Sequence, residues 1–358
     1  MKSILKKLVF VSIVSLLTAC GSHPETSIEP SSEPEESQPS SSVPAATTSA
    51  VDPSLDDNIL QNSAGMKVTF NKLGATISKV EFSGKTIATD GFTVGRCANR
   101  IAKGKFTLND HEYSLTLNDG SGSNRHHLHG GSGKGMNSWR GPFATNDWTK
   151  VSETANSIKF SFHSADGDQG YPGNMDMTVT YTLSEQGELS IEYWAKSDAD
   201  TLCNPTNHLF MTLNGNTSYS NINLQIDADN YNPLVDDTNN KIPDGNITPV
   251  EGTKFDYRTE KAFSGNDSYD HNLVLNGTVG TYRKVASMTG TTAKIKVDVY
   301  TDRPGLQLYK DSQGKICLET QMLPDMINHS NFASYGTTVL RANTDFSSKT
   351  TYHFTKTA

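Results

Sequence analysis

The sequence contains no Cys-x-x-Cys pair and no His-Glu-x-x-His segment, so two common zinc frameworks are excluded. Cysteine is scarce. Cys20, Cys97, Cys203 and Cys317 stand far apart, and such spacing does not build a disulfide framework. The last three are expected to be buried free thiols, with one disulfide among them as the alternative. Basic residues are not in excess: 31 Lys and Arg face 39 Asp and Glu, a formal net charge of −8. That offers no electrostatic footprint for nucleic acid. No window longer than about twelve residues keeps a strong helical period, and no internal repeat is evident.

What is present divides into three parts. Lys2, Lys6 and Lys7 precede an apolar run from Leu8 to Leu17, and Leu17-Thr18-Ala19-Cys20 follows. The run is short for a membrane span, and the pattern reads as a secretory signal peptide over residues 1–20. The cysteine after Leu-x-Ala resembles the lipobox of bacterial lipoproteins. That resemblance implies lipidation of Cys20, a cell-envelope location outside the cytoplasm, and membrane contact only through that anchor.

Residues 21–57 hold six prolines, many serines, eight acidic residues and no Lys or Arg. So polar a segment buries too little apolar surface to offset its ordering entropy. It is expected to be a disordered tether with a reach on the order of 35 Å. Once the three signal lysines and the eight tether acids are set aside, residues 58–358 carry 28 basic and 31 acidic residues. The remainder is large enough to bury a substantial core.

Its periodicity is that of strands. Apolar and polar residues alternate over Met66–Phe70, Ser157–Phe162, Met175–Leu183, Leu189–Tyr193, Ile222–Ile226 and Ala293–Tyr300. Turn signals at Asn109-Asp110, Asp119-Gly120, Gln186-Gly187 and Asn276-Gly277 separate such runs. Regular strands with turn punctuation predict an all-β sandwich or barrel with little helix. Asp227-Ala228-Asp229 fails as an EF-hand, because the sixth position is Asn232 and the twelfth is Thr238.

Several polar residues sit where apolar runs begin or end. Glu319 follows Lys315-Ile316-Cys317-Leu318 and shares a strand face with Cys317 and Gln321. A charge there must be solvated, paired or useful. Thr206-Asn207-His208 opens the run Leu209-Phe210-Met211. A carboxylate and an imidazole at such edges are raw material for general acid–base catalysis. Gly95-Arg96-Cys97-Ala98-Asn99-Arg100 gathers directed donors, with a surface salt bridge as the plainer reading. Of the histidines in Arg125-His126-His127-Leu128-His129-Gly130-Gly131, His129 is the expected ligand contact, with His126 and His127 facing solvent. Asp270 stands at a strand entrance, where it either binds hydroxyls or caps a turn. Gln307 in Leu306-Gln307-Leu308 needs a partner in the core or in a ligand.

The order of these segments resembles the aldose 1-epimerases, or galactose mutarotases, from about residue 62 to the C-terminus. Asn99-Arg100, Leu128-His129-Gly130-Gly131, Thr206-Asn207-His208, Asp270-His271-Asn272, Glu319-Thr320-Gln321 and Pro324-Asp325 carry the likeness. So do Gly170-Tyr171-Pro172-Gly173-Asn174, Ile242-Pro243 and Pro249-Val250-Glu251-Gly252-Thr253. The resemblance implies a large antiparallel β-sandwich with a monosaccharide cleft over one sheet. It implies Glu319 as general base, His208 as general acid, and sugar contacts from Asn99, Arg100, His129, Asp270 and Gln307, with neither metal nor redox cofactor. The implied reaction opens the ring by moving a proton off O1 and another onto O5, with the charges of Glu319 and His208 supporting each other. The chain departs from the family's pattern between Asn118 and His129, after His208, and at Gly135-Met136-Asn137-Ser138-Trp139, which points to an altered substrate preference. A sugar-binding lipoprotein without turnover, a hexose-6-phosphate epimerase and a paired-carboxylate glycosidase using Asp270 with Glu319 are the competing readings. For the phosphate, only Arg96 and Arg100 offer a basic cluster.

Overall fold

The computed structural model describes residues 58–358, with 216–218, 237 and 239 excepted. The expected signal peptide, Cys20 and the tether at 21–57 lie outside the described residues. Two antiparallel sheets dominate. The ten-stranded sheet runs, in spatial order, Asn58–Gln61, Lys67–Asn71, Thr76–Phe82, Lys85–Val94, Thr206–Met211, Ile316–Gln321, Gly305–Lys310, Asp270–Val274, Asn230–Tyr231 and Thr248–Pro249. The nine-stranded sheet runs Thr149–Glu153, Ser157–Ser164, Met175–Leu183, Glu188–Ser197, Asp345–Lys356, Ile295–Thr301, Arg283–Gly290, Ile222–Ile226 and Lys261–Ala262. Helix is minor, as the missing helical period requires; among the described residues the longest helical segments are six residues, Gly135–Arg140 and Ser330–Tyr335. None of the described helices is long and apolar enough to cross a membrane.

The alternating runs became strands because one face of each fills the space between the sheets. Met177, Val179, Tyr181, Ile191 and Ala195 from the nine-stranded sheet meet Val68, Ile77, Leu209, Met211, Leu306, Leu308 and Leu318 from the other in one core. Each such large side chain contributes roughly 1.5–3 kcal/mol by leaving water. The Tyr352 hydroxyl donates to the Leu318 carbonyl across that core at 2.9 Å, directly behind Glu319. Two strands are different: every residue of Thr206–Met211 and of Ile316–Gln321 is buried. Their second faces are covered by the site layer, so they show no clean alternation.

One expected turn is not a turn. Asp119-Gly120 opens a short strand, Asp119–Ser121, that pairs with Asn124–Leu128. The chain reverses one step later, at Gly122, whose φ of +56° is left-handed. Asn109 and Asp110 do form a hairpin turn, with left-handed φ values of 51° and 60°. Cys97, Cys203 and Cys317 are free and buried.

Candidate active site

Adjacent central strands of the ten-stranded sheet bring Glu319 and His208 together. Met211 pairs with Ile316, and three positions along from that pair stand His208 and Glu319. Their side chains face away from the inter-sheet core, with His208 Nε2 3.5 Å from Glu319 Oε1. The His208 ring lies stacked between Phe92 and Phe210, with centroids 5.0 and 4.7 Å away. Its other nitrogen, Nδ1, is 3.4 Å from the Cys317 sulfur.

The next strand, Gly305–Lys310, sets Gln307 opposite Glu319, and the one after sets Asn272 opposite Gln307. A polar relay runs across them. Gln321 Nε2 donates to Asn272 Oδ1 and Gln307 Oε1 at 3.2 and 3.4 Å, and Gln307 Nε2 donates to Asp270 Oδ1 at 2.8 Å. The other Asp270 oxygen accepts from Lys241 Nζ at 2.9 Å and lies 3.7 Å from Arg100 Nη1. Gln307 therefore orients Asp270 as well as facing the cleft.

Asn99 and His129 form the facing wall. The Asn99 backbone N–H donates to His129 Nδ1 at 3.2 Å, and the His129 N–H donates to the Asn99 carbonyl at 3.0 Å. Both residues hold left-handed backbones, with φ of 60° and 51°. With Nδ1 accepting, a neutral His129 carries its proton on Nε2. Gly130 allows this close approach, because a side chain there would overlap the Gly95 carbonyl. Arg100 donates from Nε to Asp119 Oδ2 at 2.7 Å.

Asn99, Arg100, His129, His208, Asp270, Gln307 and Glu319 thus line one cleft of about 150 Å³, with Leu128, Trp139, Lys241 and Tyr309. One buried water needs roughly 10–15 Å³ by this measure. The cleft therefore accepts on the order of ten water-sized groups, near the dozen or so non-hydrogen atoms of a hexose. A shallower depression of about 390 Å³ lined by Asn71, Asp90 and Arg140 lies elsewhere on the surface and contains none of these groups.

Burial governs the electrostatics. It pushes the His208 imidazole down to about 4. Burial, then the nearby Asp270 charge, lifts the Glu319 carboxyl well above its usual range against the pull of Arg100. The pair accordingly rests as a carboxylic acid beside a neutral imidazole, which corrects the expectation of two mutually supporting charges. Stripping water from both ions costs more than their attraction returns. Burial also holds His129 well below its ordinary value, reinforced by His208 and Arg100. For Asp270, burial opposes ionisation, but Arg100 and Lys241 outweigh it and hold the carboxyl at about 2.

Three further expectations need correction. His126 and His127 are 2% and 0% exposed, not solvent-facing. His127 bridges the Thr116 carbonyl and the Tyr171 hydroxyl, both at 2.7 Å. Arg96 forms no surface salt bridge: it is fully buried and donates to the carbonyls of Ser164, Ala165, Pro172 and Gly173 and the hydroxyls of Ser164 and Thr201. It is thereby lost to any phosphate site. Asp270 caps no turn.

Sequence reasoning missed Lys241 and Tyr309. It flagged the segment around Trp139 but not that Trp139 would line the cleft. Lys241 had one signal, its place beside Ile242-Pro243.

Among the described residues, His208, Cys317 and Glu319 form a trio with metal-ligand chemistry, their ligand atoms within 4.8 Å of one another. The imidazole, however, turns Nδ1 to Cys317 and Nε2 to Glu319.

Comparison with known proteins decides the family. A profile of the family described as Aldose 1-epimerase matches residues 56–353. The chain belongs to the aldose 1-epimerase family. As such it is an enzyme of the carbohydrate isomerase type. It is 33% identical to the aldose 1-epimerase of Haemophilus influenzae, over 77% of this chain and 89% of that one. It is 36% identical to human galactose mutarotase, over 68% and 72%. Among solved structures, a galactose 1-epimerase from Lactobacillus acidophilus superposes with a TM-score of 0.70 at 28% identity, covering 84% of this chain and 94% of that chain. An aldose epimerase homologue from C. elegans gives 0.73 at 25% identity, covering 84% and 100%. The galactose mutarotase-like β-sandwich expected from the family resemblance is the fold observed.

Proposed function

We propose that this aldose 1-epimerase family member interconverts the α and β anomers of free hexoses, with Glu319 and His208 moving the protons. The observation that carries the reading is the 3.5 Å approach of these two groups on the floor of a polar cleft of hexose size. The pair holds one mobile proton. Its neutral and ionic forms differ only in whether that proton sits on the Glu319 carboxyl or on His208 Nε2. In the ionic form, Glu319 takes the proton from sugar O1 while His208 gives one to O5, and the C1–O5 bond opens. Rotation about C1–C2 and reversal of both transfers close the other anomer and restore the pair. Each group contributes roughly 10²–10⁴-fold. Asn99, Arg100, His129, Asp270 and Gln307 supply directed contacts for the hydroxyls.

The test is polarimetric. Freshly dissolved α-glucose and α-galactose are followed with purified protein, and acceleration over buffer is expected for at least one. No acceleration with any of several hexoses, alongside measurable sugar binding, would establish a binding protein instead.

Placement in the cell envelope through a lipid on Cys20 belongs to the same reading and is supported by the sequence of residues 1–57. Metabolic labelling with palmitate should mark the wild type and not Cys20→Ala. Equal labelling of both would remove the anchor.

A further inference from the structure

Next to the floor of the cleft, against His208 and outside the cleft lining, lies a third group that the proton transfers do not use. Cys317 lies two residues before Glu319 on the same strand and the same face, fully buried. Its sulfur is 3.4 Å from His208 Nδ1, while Nε2 on the opposite ring edge looks toward Glu319. We propose that Cys317 is a positioning residue: its sulfur accepts the Nδ1–H of His208 and so fixes Nε2 as the nitrogen that exchanges protons with the sugar. This rests on the acid role assigned to His208 above.

The argument is one of proton accounting. A histidine that gives up Nε2–H and is left neutral must keep its other proton on Nδ1. The same tautomer is needed when neutral His208 faces protonated Glu319, since Nε2 must then offer a lone pair. In both forms Nδ1 is a donor and wants an acceptor, and the partner of one ring nitrogen decides the fate of the other. A sulfur is a weak acceptor, so it marks the tautomer without raising imidazole basicity as a carboxylate would. Burial above all pushes the Cys317 thiol well up, so it does not become a thiolate that would pin the proton in place. The Phe92 and Phe210 rings that stack on His208 restrict tilting but do not tell one ring edge from the other. The residue's own backbone carbonyl also accepts from the ring, which favours the same Nδ1–H tautomer, and the Cys317 sulfur is the side-chain group that contacts Nδ1.

The experiment compares wild type with Cys317→Ala and Cys317→Ser, as full-length protein with ¹⁵N-labelled histidine. His208 is assigned by its loss in His208→Asn, and the ring shifts are read at pH 7 beside the mutarotation kinetics. In wild type, Nδ1 should show a protonated, pyrrole-type shift and Nε2 a pyridine-type one. In Cys317→Ala the two should average or exchange, with kcat lower by about tenfold and KM within twofold. Cys317→Ser, whose hydroxyl oxygen also accepts, should keep the tautomer and most of kcat. Unchanged ring shifts in Cys317→Ala overturn the inference whatever happens to the rate, since a lost rate alone would then reflect packing. A wild-type kcat in Cys317→Ala with an altered tautomer overturns it too. The spectra do not depend on turnover, so a failure of the epimerase reading is distinguished from a failure of this one.

Discussion

Arg140 grips Asp90 through both terminal guanidinium nitrogens, at 2.8 and 2.7 Å, and the residue before it, Trp139, stands beside His208 in the cleft. The Trp139 ring lies 5.9 Å from His208 and 5.8 Å from Phe92, centroid to centroid, while the Arg140 guanidinium lies 4.7 Å from the Phe92 centroid and 5.4 Å from that of Trp139. A planar fork matched to a carboxylate is not replaced by an ammonium. Arg140→Lys and Asp90→Asn should each loosen the Gly135–Arg140 segment. KM is expected to rise about three- to tenfold, up to about 1.4 kcal/mol, with kcat less affected and tryptophan emission shifted to the red. Unchanged KM and emission in both variants would separate the clamp from the cleft.

Removing either member of the proton-transfer pair should cost activity and not the fold. Glu319→Gln and His208→Asn are each expected to lower kcat by about 10²–10⁴-fold with a wild-type circular dichroism spectrum. Wild-type-like rates in one of them would strip that residue of its role.

The direction of the His208 shift sets the pH profile. An imidazole held at about 4 stays neutral through the mildly acidic range, and Glu319, raised by burial, keeps its proton there. The pair therefore holds its single mobile proton down to about pH 4 and gains a second below it. kcat/KM, corrected for the spontaneous rate, should stay flat across the mildly acidic range to about pH 5 and fall near pH 4. An acid limb near the ordinary histidine value would contradict the burial argument.

Arg96 yields a stability prediction. Its six partners are four carbonyls and two hydroxyls drawn from 164–173 and Thr201. Replacing it with methionine leaves buried acceptors without donors, at a cost of about 4 kcal/mol or more. The melting temperature should drop by about 10 °C, measured by calorimetry at neutral pH. A drop under about 2 °C would mean that those carbonyls find other donors.

The outer strands were legible because one of their faces meets water. Met175–Leu183 alternates residue by residue, and the observed strand has those bounds. Thr206–Met211 and Ile316–Gln321 were not legible in that way, because both faces are covered. Glu319 and His208 could be placed on strands by reading the residues, but their pairing came from the family resemblance. The burial of His126 and His127 was hidden for a related reason. Adjacent strand residues point to opposite faces, and here both faces are enclosed, one of them against Tyr171, 44 residues away. Lys241 reaches Asp270 across 29 residues of chain, a contact that no local pattern announces. The neutral state of Glu319 and His208 needed the degree of enclosure, which sequence spacing does not encode.

A floor made of two fully enclosed strands has a consequence for how sugar enters and leaves. Thr206–Met211 and Ile316–Gln321 are buried at every residue, so their backbone amides are expected to be among the last to exchange with solvent, and the floor itself offers no route for a substrate. Entry and exit must then be governed by the rim, where Gly135–Arg140 carries a fully exposed Met136 and a partly exposed Trp139, and where Val235 is exposed on the hairpin that sends Lys241 inward. The floor belongs to the sheet and the rim to two exposed segments, Gly135–Arg140 and the 234–243 hairpin, so a change of side chain at the rim can reshape the opening without touching His208 or Glu319.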